Sequence, residues 1–87
     1  MQIAKGMIVK SNSGHDKNRY FLVIDLIGAH ALLADGKRRT LAKPKQKNCK
    51  HLCATNHIVE PGAYPTDKQI RKLLWPFNYQ DATQAFE

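Results

Sequence analysis

The sequence has few acidic residues, few cysteines and no long apolar run, and each shortage argues against a class of protein. The longest apolar run, Tyr20–Ile24, is far shorter than the roughly 20 residues that cross a bilayer, so we expect no membrane partner. The two cysteines, Cys49 and Cys53, are so close that a disulfide between them would stabilise little. The start of the chain, MQIAKGMIVK, has no apolar secretory core. Reduced thiols and a cytoplasmic location are therefore expected.

Patterns that support catalysis are also missing. The sequence has no glycine-rich phosphate loop, no His-Glu metal helix and no paired carboxylates at a useful spacing. The histidines and thiols could form a Cys/His dyad, but nothing positions a third, orienting group. We therefore expect a non-enzymatic protein without a cofactor or a small-molecule substrate.

Four potential zinc ligands lie close together in the sequence: Cys49, His51, Cys53 and His57. Their side-chain types suit zinc, but structural sites usually pair a tight knuckle with a second, distant pair of ligands. A structural role, with Cys49 as a small core residue, is the simpler interpretation. The sequence therefore predicts no metal site.

Basic residues, in contrast, are abundant and unevenly placed. The 87 residues include 14 Lys or Arg and 7 Asp or Glu, which gives a net charge of +7. Residues 1–53 carry 11 of the basic and 3 of the acidic side chains, whereas residues 54–87 have a net charge of −1. Such clustering favours one basic surface that faces a polyanion.

Alternation of apolar and turn-forming residues predicts five short strands. The first three are 7–9, 20–26 and 30–34, and the second is apolar on both faces, which is typical of a covered central strand. Asp35-Gly36 suits a type I′ hairpin turn, in which both residues need positive φ. The fourth strand would then cover 38–41 and end before Pro44. Residues 49–53 would form the fifth.

The C-terminal part predicts one short helix over about 66–75. Thr66 and Gln69 match a capping box, and apolar residues follow at helical spacing until Pro76 should end the helix. We expect the apolar stripe of this helix to cover an open face or one end of the sheet. The chain is then one domain, with strands in residues 1–57 and a helical extension in 58–87 that packs on them.

The segments Gly6–Lys10 and Ser13–Ile24 resemble the KOW motif, in which a glycine-containing basic loop joins two strands. Ala31–Arg39, Lys43–Lys45 and Lys50–Leu52 look like small bacterial KOW-domain proteins, relatives of KOW-containing ribosomal proteins of the eukaryotic and archaeal large subunit. This resemblance covers about residues 5–55 and implies a mainly β, SH3-like five-stranded barrel that binds RNA and is associated with the ribosome or with translation. In place of the glycine near the end of the basic loop stands Asn18, the non-glycine residue that best tolerates positive φ.

The residues expected to contact RNA form a basic loop with its neighbouring strand and a second cluster in the predicted hairpin. They are Lys10, His15, Lys17, Arg19, Lys37, Arg38, Arg39, Lys43, Lys45, Lys47 and Lys50. Structured RNA is the favoured target, because a barrel can contact phosphates and 2′-hydroxyls without reading bases. Tyr20 and Phe21 could stack on bases, but a core position is favoured.

The alternative function is a protein-binding barrel linked to transcription or translation. Its anchor patch would be Trp75, Phe77 and Tyr79, residue types that are frequent at binding hot spots. The competing interpretation, which we favour, places Trp75 over the core.

Overall fold

The computed structural model describes residues 2–60 and 66–78, which form five strands followed by one α-helix. These elements are β1 (Met7–Ser11), β2 (Tyr20–Ile27), β3 (His30–Ala34), β4 (Lys45–Asn48), β5 (Leu52–Ile58) and α1 (Asp67–Asn78). Short 3₁₀ turns at Gly14–Asp16 and Cys49–His51 lie between strands. Tyr79 of the predicted anchor patch lies outside the described residues.

The strands form a single antiparallel sheet in the order β4-β3-β2-β1-β5. A mainly β fold with one C-terminal helix is therefore confirmed. In the part of the chain that the structure describes, the edge strands β4 and β5 are not paired with each other, so the sheet is open. The register shifts within the β1–β5 and β2–β3 pairs.

Apolar side chains form one cluster on each face of the sheet. Phe21 and Val23 of β2 belong to the first cluster, together with Val9 and Leu33. Leu22, between them in sequence, points to the other face, since successive strand residues alternate. The expectation that β2 is covered on both sides is confirmed, and Phe21 is a core residue, 1% exposed.

The second cluster is closed by α1. Ile70 and Leu74 are buried against Ile8 and Leu22, so the predicted apolar stripe does cover a face of the sheet. At the start of the helix, the Gln69 amide donates to Thr66 Oγ1 (3.2 Å), as the capping pattern predicted.

The predicted end of the helix near Trp75 is wrong, because α1 continues through Pro76 to Asn78. Proline removes one backbone donor, but tertiary contacts hold the last turn. Phe77 packs against the second cluster. Asn78 accepts a hydrogen bond from the Tyr20 amide (2.8 Å) and donates one to the Tyr20 carbonyl (3.2 Å).

The predicted hairpin at Asp35-Gly36 is also wrong. Gly36 has a φ of +78°, but Asp35 is not among the residues with positive φ, so the type I′ geometry is not formed. Instead, the buried Asp35 carboxylate accepts hydrogen bonds from the amides of Lys37 (2.8 Å) and Arg39 (2.9 Å). This side chain folds the segment into a loop, and the fourth strand begins only after Pro44.

The fifth strand likewise begins later than predicted. Cys49–His51 is a 3₁₀ turn because the Asn48 side chain accepts the Lys50 amide (3.0 Å) and redirects the chain. β5 then runs to Ile58.

The predicted position of Trp75 over the core is wrong as well, because this residue is 58% exposed.

Candidate nucleic-acid interface

Two connections rich in basic residues lie next to each other at one end of the sheet. We call residues 12–19 the first basic loop and residues 35–44 the second basic loop. The first leads into β2 and the second leaves β3, and these strands are paired near those ends through Leu22 and Ala34. Because the strands are antiparallel, both loops emerge on the same side.

A buried acid joins the two loops. Asp16 Oδ2 of the first loop lies 3.3 Å from Lys45 Nζ and 4.0 Å from Arg39 Nη2. Neither contact has hydrogen-bond geometry, since this oxygen finds no donor among the described residues. The attraction is therefore Coulombic, and it draws β4 and the second basic loop toward the first.

Lys47 fixes the other side of the first basic loop. Its ammonium donates hydrogen bonds to Ser11 Oγ (2.7 Å) and to the Ser13 carbonyl (2.8 Å). Asn18 has a φ of 71°, a left-handed conformation that asparagine tolerates better than other non-glycine residues. Its amide donates to the Ser11 carbonyl (2.7 Å). The loop is thus held by its own backbone and by a lysine from β4.

The predicted RNA-contacting residues divide into two groups by exposure. The exposed ones are His15, Lys17, Lys37, Arg38, Lys43 and Lys50. The half-buried ones are Lys10, Arg19, Arg39, Lys45 and Lys47. In the second group, Arg39, Lys45 and Lys47 have contacts within the protein, and the Lys10 ammonium lies 5.9 Å from the centroid of the Tyr20 ring. The exposed group is therefore better placed to reach a partner.

Most of these residues come together, with Lys10 and Lys50 at the margins. Lys50 lies in the Cys49–His51 turn, whose His51 carbonyl accepts the Asn12 amide of the first basic loop (3.0 Å). Lys10 lies in β1 opposite Tyr20. A contact with RNA remains a prediction for every member of the set.

No exposed acidic side chain of the described residues lies at this end of the sheet, although the half-buried Asp67 of α1 accepts the Leu41 amide of the second basic loop (2.8 Å). Asp16 and Asp35, which belong to the two loops, are buried. The exposed acids of the described residues, Asp25 and Glu60, lie elsewhere. Asp25 is toward the β2–β3 turn, and Glu60 follows Ile58, which pairs with Met7 at the far end of β1. The exposed charge at the loops is therefore positive.

Helix α1 adds basic residues that were not predicted. Lys68, Arg71 and Lys72 line a groove of about 700 Å³ with Arg19 and Lys37 of the two loops. Arg71 Nη1 donates to the Gly36 carbonyl (3.1 Å) and so links the helix to the second basic loop. The i, i+3, i+4 spacing of the three helix residues indicates one basic face. The near-neutral net charge of residues 54–87 concealed this face in the sequence.

The residues that the sequence offered as potential zinc ligands have other contacts. Cys49 is half-buried against the first cluster, and Cys53 Sγ accepts a hydrogen bond from Asn12 (3.5 Å). His57 and Phe77 form a T-shaped ring pair, with centroids 4.9 Å apart. Among residues 2–60 and 66–78, no three His, Cys, Asp or Glu side chains are grouped as a metal site would require.

Comparison with known proteins adds no family to this description. No protein-family model matches the chain, and no curated protein matches its sequence. The described residues include no helix with the length and apolarity that a membrane span requires.

Proposed function

We propose that this protein is a non-enzymatic, cytoplasmic RNA-binding module of the KOW type, associated with the ribosome or with translation. One observation carries the proposal: the two basic loops lie side by side, with their acids buried beneath them and the exposed acids elsewhere. Such a surface attracts a polyanion over several ångströms, because its charges share one sign. Flexible Lys and Arg side chains can follow a phosphate backbone without reading sequence.

The proposed fold is an SH3-like barrel, and chain connectivity supports it. β4 and β5 are at opposite edges of the sheet, yet only Cys49–His51 separates them in sequence. A flat sheet of five strands would put these edges about 19 Å apart. The connection from Asn48 to Leu52 reaches at most about 14 Å. The sheet must therefore curl toward closure, and the register shifts in two strand pairs allow such bending.

The test measures RNA affinity as a function of salt for variants that each remove one exposed cation. Lys37→Ala and Arg38→Ala alter the second basic loop, where both side chains are exposed. Lys5→Ala is the matched control, because Lys5 is exposed but precedes β1, at the end away from the loops. Fluorescence anisotropy with a labelled RNA hairpin that carries a single-stranded extension gives the dissociation constant at each salt concentration.

We expect each loop variant to bind about fivefold more weakly at 0.1 M salt, with the log–log salt slope smaller by about 0.7. Both effects follow from the loss of one phosphate contact and its released counterion. Lys5→Ala should bind like the wild type. Equal losses in all three variants would show that only net charge matters, and an absence of RNA binding by the wild type would refute the proposal.

A protein-binding barrel is the second candidate, and a separate observation favours it. Leu26, Ile27 and Ile58 are exposed by 37%, 53% and 65%, and all three lie away from the basic loops, near strand ends. Exposed apolar residues of this size suit a protein contact. Binding of a protein partner that is insensitive to salt and is lost in Ile27→Asp would support this candidate.

A further inference from the structure

Helix α1 has a second stripe, opposite the one that packs on the sheet. Lys68, Arg71, Lys72 and Trp75 have i, i+3, i+4, i+7 spacing, which places them within about 100° of one another around the helix axis. The buried Ile70 lies on the other side. The outward stripe thus combines three cations with one large aromatic side chain.

This stripe forms one wall of the groove described above, which we call the α1 groove. Arg19 and Lys37 approach from the two basic loops, so five cations line a volume of about 700 Å³. Cavities of roughly 300–1,000 Å³ enclose ligands the size of a nucleotide. The lining includes one buried acid, Asp35: its Oδ1 accepts two backbone amides, and its Oδ2 finds no hydrogen-bond partner among the described residues.

Trp75 gives this groove a property that the basic loops lack. Its side chain is 58% exposed, and it lines the groove beside apolar surface from Leu74 and Pro76. An indole face beside cations fits a ligand that is both planar and anionic. A nucleotide has both features, whereas a carboxylate-rich peptide supplies only the charge.

Stacking also restricts the form of the RNA. In a duplex, neighbouring bases cover both faces of each base, so an aromatic side chain reaches a base only where it is unpaired. We propose that the α1 groove binds an unpaired nucleotide of RNA, with its base stacked on Trp75 and its flanking phosphates near the cations of Arg71 and Lys72. This inference rests on the proposed RNA-binding function and deepens it.

The experiment compares two RNAs that differ in one nucleotide: a perfect duplex of two strands without a loop, and the same duplex with a single unpaired nucleotide in one strand. Trp75 is the only tryptophan of the chain, so intrinsic fluorescence of the unmodified protein reports directly on this site. Fluorescence anisotropy gives the affinity for both RNAs. Trp75→Ala removes the ring, Trp75→Phe retains a smaller one, and Ile58→Ala is the control that trims an exposed apolar side chain elsewhere.

We expect the wild type to prefer the bulged duplex by about fivefold or more, the lower bound for one base stacked on an aromatic ring. Only the bulged RNA should quench the tryptophan. Trp75→Ala should lose the preference but bind the perfect duplex unchanged. Trp75→Phe should retain part of the preference, and Ile58→Ala all of it.

Equal binding of both RNAs without quenching would overturn this inference and leave the proposed function standing. Binding of neither RNA would overturn both. Quenching by poly-glutamate but not by either RNA would assign the groove to an acidic protein segment and overturn the nucleotide proposal.

Discussion

The contact between Gly36 and α1 gives a sharp prediction about how the groove is built. A Cβ atom at this position would lie 2.2 Å from the Asp67 carbonyl oxygen and 2.9 Å from Arg71 Cγ. The φ of +78° adds about 1–2 kcal/mol of backbone strain for any residue with a side chain. Displacing the first turn of a packed helix adds about 1–3 kcal/mol more. We expect Gly36→Ala to destabilise the protein by about 3 kcal/mol.

Gly28→Ala is the matched control for this substitution. Gly28 also has a positive φ, +57°, but a Cβ there would meet nothing within 4 Å. It should therefore show only the backbone strain of about 1–2 kcal/mol. Urea unfolding of both variants gives the two free energies, and their difference isolates the collision with the helix.

Hydrogen exchange at the Leu41 amide then identifies the part of the molecule that moves. This amide donates to Asp67 Oδ1 at 2.8 Å, so its protection reports whether α1 is docked on the second basic loop. When the two variants are compared under conditions that give them equal global stability, Gly36→Ala should reduce that protection more than Gly28→Ala. If both variants lose the same free energy and protect Leu41 equally, the close contact between loop and helix is refuted.

Two further predictions concern the first basic loop. Lys47→Met keeps the apolar stem but removes the hydrogen bonds to Ser11 and Ser13, and should reduce the unfolding free energy by about 1–3 kcal/mol; an unchanged urea midpoint would contradict a structural role for this ammonium. Asn18→Ala should destabilise by about 1 kcal/mol because φ is 71°, whereas Asn18→Gly should be neutral or stabilising. Identical thermal midpoints for the two Asn18 variants would show that the left-handed conformation is not required.

The elements predicted correctly are those whose local pattern agrees with their packing. β2 has apolar residues on both faces and is covered on both, by the first cluster and by α1. The helix begins directly after Thr66, its capping residue, and Asn18 has the positive φ that its residue type tolerates. In each case a short segment carries the whole signal, so no distant contact was needed to interpret it.

β4 could not be predicted because its sequence is Lys-Gln-Lys-Asn, with no aromatic or β-branched residue. It becomes a strand by pairing with β3. The hairpin prediction at Asp35-Gly36 failed for a related reason. The Asp35 side chain accepts hydrogen bonds from the Lys37 and Arg39 amides, which a hairpin would have used differently. A short polar side chain can compete with strand pairing for backbone amides. Which of the two prevails depends on the neighbouring elements, and here the neighbour is α1.

The candidate site was predicted as a surface but not in its details. Lys45 and Lys47 alternate with a polar residue and could be taken as equivalent cations, yet the structure gives one an ion pair with Asp16 and the other two hydrogen bonds. The helix cations were missed because net charge was counted over a whole segment. Charge counted over α1 alone would have shown three cations, Lys68, Arg71 and Lys72, against one acid, Asp67.

The placement of the acids matters more than their number. An exposed Asp beside a lysine would stabilise the loops little, since surface ion pairs contribute at most about 1 kcal/mol, and would weaken the outward field. A buried Asp binds backbone amides or half-buried cations instead, as Asp35 and Asp16 do. These two acids can therefore fix the loops while Lys17, Lys37 and Arg38 stay exposed. If such an Asp lay on the surface of these loops instead, the loops would lose its internal contacts and their exposed charge would become less positive. The burial of these acids therefore supports the stability of the loops and their attraction for a polyanion at the same time.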